Sequence, residues 1–81
     1  MNATVKVFAL ARQLAGQESL AVILPQEATV ADLRRAIADQ YPALAGLVAH
    51  ALFAINAEYA ADTAPIPAGA DLACIPPVSG G

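Results

Sequence analysis

Thr29-Val30-Ala31-Asp32-Leu33-Arg34-Arg35-Ala36-Ile37-Ala38-Asp39-Gln40-Tyr41-Pro42 is the stretch that decides the fold. Val30, Leu33, Ile37 and Tyr41 recur at helical spacing and define one apolar face, while Asp32, Arg34, Arg35 and Asp39 lie mainly elsewhere. Thr29 with Asp32 three residues on approximates a capping box at the start. Pro42 disfavours helical geometry at Tyr41 and ends the helix. Arg35 and Asp39 stand at i,i+4, a spacing at which they can pair. An amphipathic helix of this kind needs a sheet to cover.

The flanking segments supply that sheet. Thr4 to Leu10 is β-branched and aromatic and reads as a first strand, with Arg12 to Gly16 as a short helical turn. Ser19 to Leu24, closed by Pro25, reads as a second strand paired antiparallel to the first. Beyond the helix, Pro42 opens a second short turn through Leu44, Leu47 and Val48. Leu52 to Ile55 forms a third strand that turns at Asn56, and Glu58 to Ala60 an edge piece. Asp62 to Gly69 is loop, and Leu72 to Ile75 is a last strand terminated by Pro76. The order ββ, α, β, short β, β with one helix over a mixed sheet is an α+β, β-grasp (ubiquitin-like) arrangement.

At 81 residues the chain is one small domain with no room for a second core. The organisation is a globular domain over residues 1–75 and an extended C-terminal tail over 76–81. Much of the 58% hydrophobic content is alanine; two Phe, two Tyr and no Trp supply the large rings. Net charge is -3, and Lys6, Arg12, Arg34 and Arg35 form no dense run, so a nucleic-acid footprint is missing. Cys74 is alone, which excludes an internal disulfide and a multi-cysteine metal site and fits a reducing, cytoplasmic setting. Lys6 and Arg12 break up the N-terminal apolar run, so no signal peptide is expected. Gly46, His50 and Asn56 interrupt the apolar stretch 43–57, which is too short to span a membrane.

No catalytic constellation presents itself. His50 has no ligand-spaced neighbour, Cys74 falls within the last strand as a small buried thiol, and the carboxylates are scattered. Gly16, Gly46 and Gly69 match no phosphate-loop spacing and read as turns. The distinctive feature is the ending Pro76-Pro77-Val78-Ser79-Gly80-Gly81. Two prolines hold the exit extended, and two residues without Cβ allow bare backbone through a narrow channel. A terminal carboxylate on Gly81 is ionised at neutral pH and a poor electrophile. ATP-dependent adenylation would convert it to a mixed anhydride, open to attack by sulfur or by an amine.

That ending resembles the MoaD family, the small sulfur-carrier subunits of molybdopterin synthase. Phe8-Ala9 followed by Arg12 and Gly16, and Asn56 after an apolar strand, resemble the same family over essentially the whole length. Cys74-Ile75 and Ala70 depart from residues common in it. The resemblance implies a β-grasp fold and a tail adenylated by an E1-like enzyme of the MoeB type, with ATP used by that partner and no cofactor bound to the chain itself. A sulfur donor enzyme would then leave a thiocarboxylate on Gly81. The tail would enter the large subunit, of the MoaE type, and give sulfur to cyclic pyranopterin monophosphate in a heterotetramer. Gly81 would carry the sulfur, Gly80 would permit insertion, and Pro76, Pro77, Val78 and Ser79 would set the reach. Thiamine-pathway carriers and ubiquitin-like modifiers conjugated through the terminal glycine share the Gly-Gly end and remain the alternatives.

Overall fold

The computed structural model describes residues 1–77. It has five strands, β1 (Asn2–Val7), β2 (Ser19–Ile23), β3 (Leu52–Ile55), β4 (Glu58–Ala60) and β5 (Leu72–Ile75), and three helices, α1 (Ala9–Ala15), α2 (Val30–Gln40) and α3 (Ala45–Val48). One 3₁₀ turn, Pro42–Leu44, precedes α3. The strands form a single sheet in the order β2-β1-β5-β3-β4. β5 is central, parallel to β1 and antiparallel to β3. This is the β-grasp arrangement read from the sequence.

Helix α2 begins as its sequence requires. The Thr29 hydroxyl accepts from the Asp32 N–H at 3.4 Å, and Asp32 Oδ2 accepts from the Thr29 N–H at 2.9 Å, closing the capping box. The bond from the Thr29 amide holds the Asp32 carboxyl below its ordinary value of 3.8, against an opposing effect of desolvation. A lowered folded-state value means the box stabilises the fold above that ordinary value and weakens as acid protonates Asp32. The other free donors of the first turn are met by the 61–71 loop, since Val30 N–H donates to Ala64 C=O at 3.0 Å and Ala31 N–H to Asp62 C=O at 2.9 Å. A segment read as plain loop therefore clamps the helix start.

Val30, Leu33 and Ile37 of α2 are fully buried against Val5, Leu20, Val22 and Phe53 from the inner sheet face. Cys74 is equally buried on β5, where burial pushes its thiol up to about 11, with a small opposing pull from Arg34. It is a protonated, packed thiol at neutral pH.

The structure departs from the sequence reading at four places. β1 stops at Val7, and the chain turns at Ala9, whose φ is 51°, so Ala9 and Leu10 open α1 and do not extend the strand. The apolar run 7–10 carries no period that separates the two. Arg35 pairs with Asp32 at 3.3 Å, the side chain one turn earlier on the same face, and not with Asp39. Gly46 lies inside α3, whereas Gly16 and Gly69, at φ of 70° and 74°, are left-handed turn glycines as their composition indicates. The loop after Asp62 is the fourth, for the reason given above.

The β3–β4 hairpin carries local strain. Asn56 and Ala57 connect the Ile55↔Glu58 pair, with φ of 50° and 69°. A two-residue loop with both φ positive is a type I′ turn, in which glycine is strongly preferred at the second position. Left-handed backbone costs an L-residue roughly 1–2 kcal/mol, part of which glycine returns through its unfolded-state entropy. Ala57→Gly should therefore stabilise the domain by about 1 kcal/mol, read as a rise in melting temperature of about 4–8 °C; an unchanged or lower midpoint would refute the strain.

Candidate functional site

Strand β5 carries the chain from the middle of the sheet to the tail, and both of its neighbours hold it. Leu72, Ala73 and Cys74 pair with β1, and all four β5 residues pair with β3. Asn56 fixes the start of this strand, since its N–H donates to Asp71 C=O at 2.8 Å and its Oδ1 accepts from Asp71 N–H at 2.9 Å. The tail thus leaves a rigid base. Pro76 at its root is half-buried and Pro77 exposed. Val78, Ser79, Gly80 and Gly81, the other residues singled out in the sequence, lie outside the described residues.

Two apolar surfaces meet where β5 ends. On the open face of the sheet, cross-strand partners stand side by side: Ala73 opposite Lys6 and Ala54, Ile75 opposite Leu52, and Tyr59 opposite Ala54. A shallow depression of about 390 Å³ lies among Phe8, Ala54, Tyr59, Ala73 and Ile75. On the helical side, Phe8, Leu10, Leu14, Leu47, Ile75 and Pro77 border a groove of about 770 Å³. Phe8 and Ile75 belong to both.

These side chains are unusually exposed for their type, Tyr59 at 71%, Leu52 at 54% and Leu10 at 52%. Apolar side chains exposed next to one another in this way form a candidate docking surface. The turn at Ala9 creates it, because ending β1 at Val7 lets Phe8 and Leu10 stand at the rim of the sheet and not inside it. The sequence reading carried the first strand through Phe8 to Leu10 and so missed the surface. The i,i+4 pair Leu10 and Leu14, exposed on a flank of α1 next to the buried Ala11, is the signal that marks it.

Reactive side chains are not gathered at this point. Among the described residues no three His, Cys, Asp or Glu side chains come together as a metal site, and His50 is exposed. No described helix is long and apolar enough to cross a membrane.

Residues 5–81 match the ThiS family. The chain belongs to that family. The molybdopterin synthase sulfur carrier subunit of Caenorhabditis briggsae is 35% identical to it over 83 aligned positions, covering 100% of this chain and 99% of the relative. Among solved structures, small archaeal modifier protein 1 of Haloferax volcanii superposes with a TM-score of 0.83 at 32% identity, over 95% of this chain and 98% of the other. A Pyrococcus furiosus protein described as molybdopterin converting factor subunit 1 gives 0.83 at 28% identity, over 96% and 99%. The likeness to molybdopterin synthase sulfur carrier subunits, read first from the tail, therefore holds along the whole ThiS-family chain.

Proposed function

We propose that this ThiS-family chain is the sulfur carrier subunit of a molybdopterin synthase. Its α-carboxylate at Gly81 is the reacting group and its folded body is the handle by which partner enzymes hold it. The observation that carries this reading is the central strand β5, paired on both sides and ending at Ile75 beside an exposed apolar rim, six residues before the Gly81 terminus in the sequence. A carrier needs a docking surface next to the point where its tail departs, so that binding the body delivers the terminus to another protein's active site.

The chemistry follows from the carboxylate. An E1-like enzyme of the MoeB type would join Gly81 to the α-phosphate of ATP, releasing pyrophosphate. A sulfur donor would then displace AMP to leave a thiocarboxylate. A large subunit of the MoaE type would receive the tail and pass the sulfur to cyclic pyranopterin monophosphate. Pro76, Pro77, Val78, Ser79 and Gly80 set the reach and slimness of the inserted segment. Cys74, buried and protonated, is unsuited to carrying the sulfur itself.

The likeness to an archaeal modifier protein favours a second reading, in which the activated Gly81 forms an amide with a lysine of another protein. A thiamine-pathway carrier would share the first chemistry and differ in the acceptor. One measurement separates these. Incubation with the adenylating enzyme, ATP and a sulfur source should raise the mass of the intact chain by one oxygen-to-sulfur exchange, localised to Gly81 by fragmentation. Sulfur from that species should then appear in the pterin when the large subunit is added. Lysine adducts without the exchange would establish the modifier; exchange without transfer to the pterin would move the carrier to another pathway.

A further inference from the structure

The sheet ends on one side at β2, and that edge is already occupied. Val7 N–H donates to Glu18 C=O and Leu24 N–H to Met1 C=O, so the hydrogen-bonded pairs between β1 and β2 are those of the same parity, such as Val5 with Leu20. The intervening residues Ser19, Ala21 and Ile23 therefore turn their N–H and C=O groups away from β1, towards the open edge. Ile23 N–H donates to Gln40 Oε1 at 3.0 Å, and Gln40 Nε2 donates back to Ile23 C=O at 2.8 Å. Tyr41 Oη donates to Ala21 C=O at 2.8 Å. The Gln40 amide thus meets a donor and an acceptor of one residue together, as a residue of a neighbouring strand would. Both side chains come from the end of α2, Gln40 as its last residue and Tyr41 as its C-cap.

We infer that Gln40 and Tyr41 form a seal over the β2 edge that prevents a second copy of this chain from adding to the sheet there. A second copy is the relevant intruder because β2 can pair antiparallel with itself about a two-fold axis, which presents the same residues on both sides. Ile23, 69% exposed on the outer face, would gain apolar cover from such pairing. An unsealed edge is a template for this kind of association. At the opposite edge, β4 is three residues long, and its pairing with β3 leaves only Tyr59 facing outward, so its exposure to strand addition is already small. The longer edge carries the side-chain seal. The inference stands on this geometry and is independent of the cargo proposed for Gly81.

Amide exchange and sedimentation of the full chain test it. In the unaltered protein the Ile23 amide should exchange more slowly than the outward-facing Ala21 amide, although both lie on the edge. Gln40→Ala should speed exchange at Ile23 roughly five- to tenfold and leave the inward-facing Val22 amide unchanged. Gln40→Ala with Tyr41→Phe should convert a monomer into a concentration-dependent dimer. Adding Ala21→Pro, which removes a donor that the β1 pairing does not use, should restore the monomer. Equal exchange at Ile23 and Ala21 in the unaltered protein would overturn the seal, as would a natively folded double variant that remains monomeric at the highest concentration reached by the parent. Should the double variant fail to fold, the exchange ratio at Ile23 in the single variant decides.

Discussion

Arg34→Ala is expected to destabilise the domain by about 2–4 kcal/mol, a fall in melting temperature of about 10–25 °C for a chain of this size. The reason is the number of groups that one side chain serves. Arg34 Nη1 donates to the carbonyls of Val48, the last residue of α3, and Ala51, three residues beyond it, at 2.6 and 2.7 Å; the Val48 carbonyl has otherwise only a long bond of 3.4 Å from Ala51 N–H. Its Nη2 meets Asp62 Oδ1 at 2.6 Å, tying down the loop that clamps the start of α2. The guanidinium carbon lies 4.9 Å from the centroid of the Phe53 ring, the largest fully buried side chain. Truncation removes the side-chain donor from both carbonyls, leaving Val48 C=O only its long bond from Ala51 N–H, gives the half-exposed Asp62 carboxylate back to water, and uncovers one face of the core. Domains of this length are held by only about 4–12 kcal/mol in total, so the variant should approach the limit of folding at physiological temperature.

Two companion variants identify the cause. Arg34→Lys keeps the charge but replaces a planar fork with a point donor, and it should recover no more than about half of the loss. Asp62→Asn should cost under about 1 kcal/mol, because the carboxylate is 54% exposed and its pairing is screened by water. Thermal denaturation of the three side by side checks the ordering. If Asp62→Asn proved as damaging as Arg34→Ala, the ion pair and not the carbonyl contacts would be the source.

Sequence pattern revealed features set by neighbours close along the chain and concealed those set by distant ones. α2 was legible because Thr29, Asp32 and the Val30, Leu33, Ile37 face are a local code that the fold obeys. The strands were legible from β-branched runs closed by Asn56, Pro25 and Pro76. Arg34 gave no such signal: its partners lie 14, 17 and 28 residues away, and nothing within one turn of helix distinguishes it from Arg35. The Gln40 and Tyr41 contacts with β2 are concealed in the same way.

The docking surface was hidden for a different physical reason. An apolar residue reads as core, and only the turn at Ala9 reveals that Phe8 and Leu10 face outward. The tail was the opposite case, since its composition alone pointed to a reacting terminus without any contact to read.

Deleting Gly81 should abolish sulfur transfer to the pterin and leave thermal stability within about 0.5 kcal/mol of the parent. On the proposed chemistry the loss in activity is complete and not graded, because shortening the chain withdraws the reacting carbonyl by one residue, about 3.5 Å, from the place where the partner's groups wait. Stability is insensitive because, among the described residues, every buried residue of the core lies at or before Cys74. Ile75→Glu on the full-length chain provides the complementary result. It places a charge at the junction of the two apolar surfaces, so binding to the partner enzymes should weaken by at least about tenfold while the carboxylate at Gly81 is untouched. Raising the partner concentration should therefore rescue Ile75→Glu and never the deletion. That difference separates a docking fault from a missing reactant, and rescue of both would place the reaction somewhere other than Gly81.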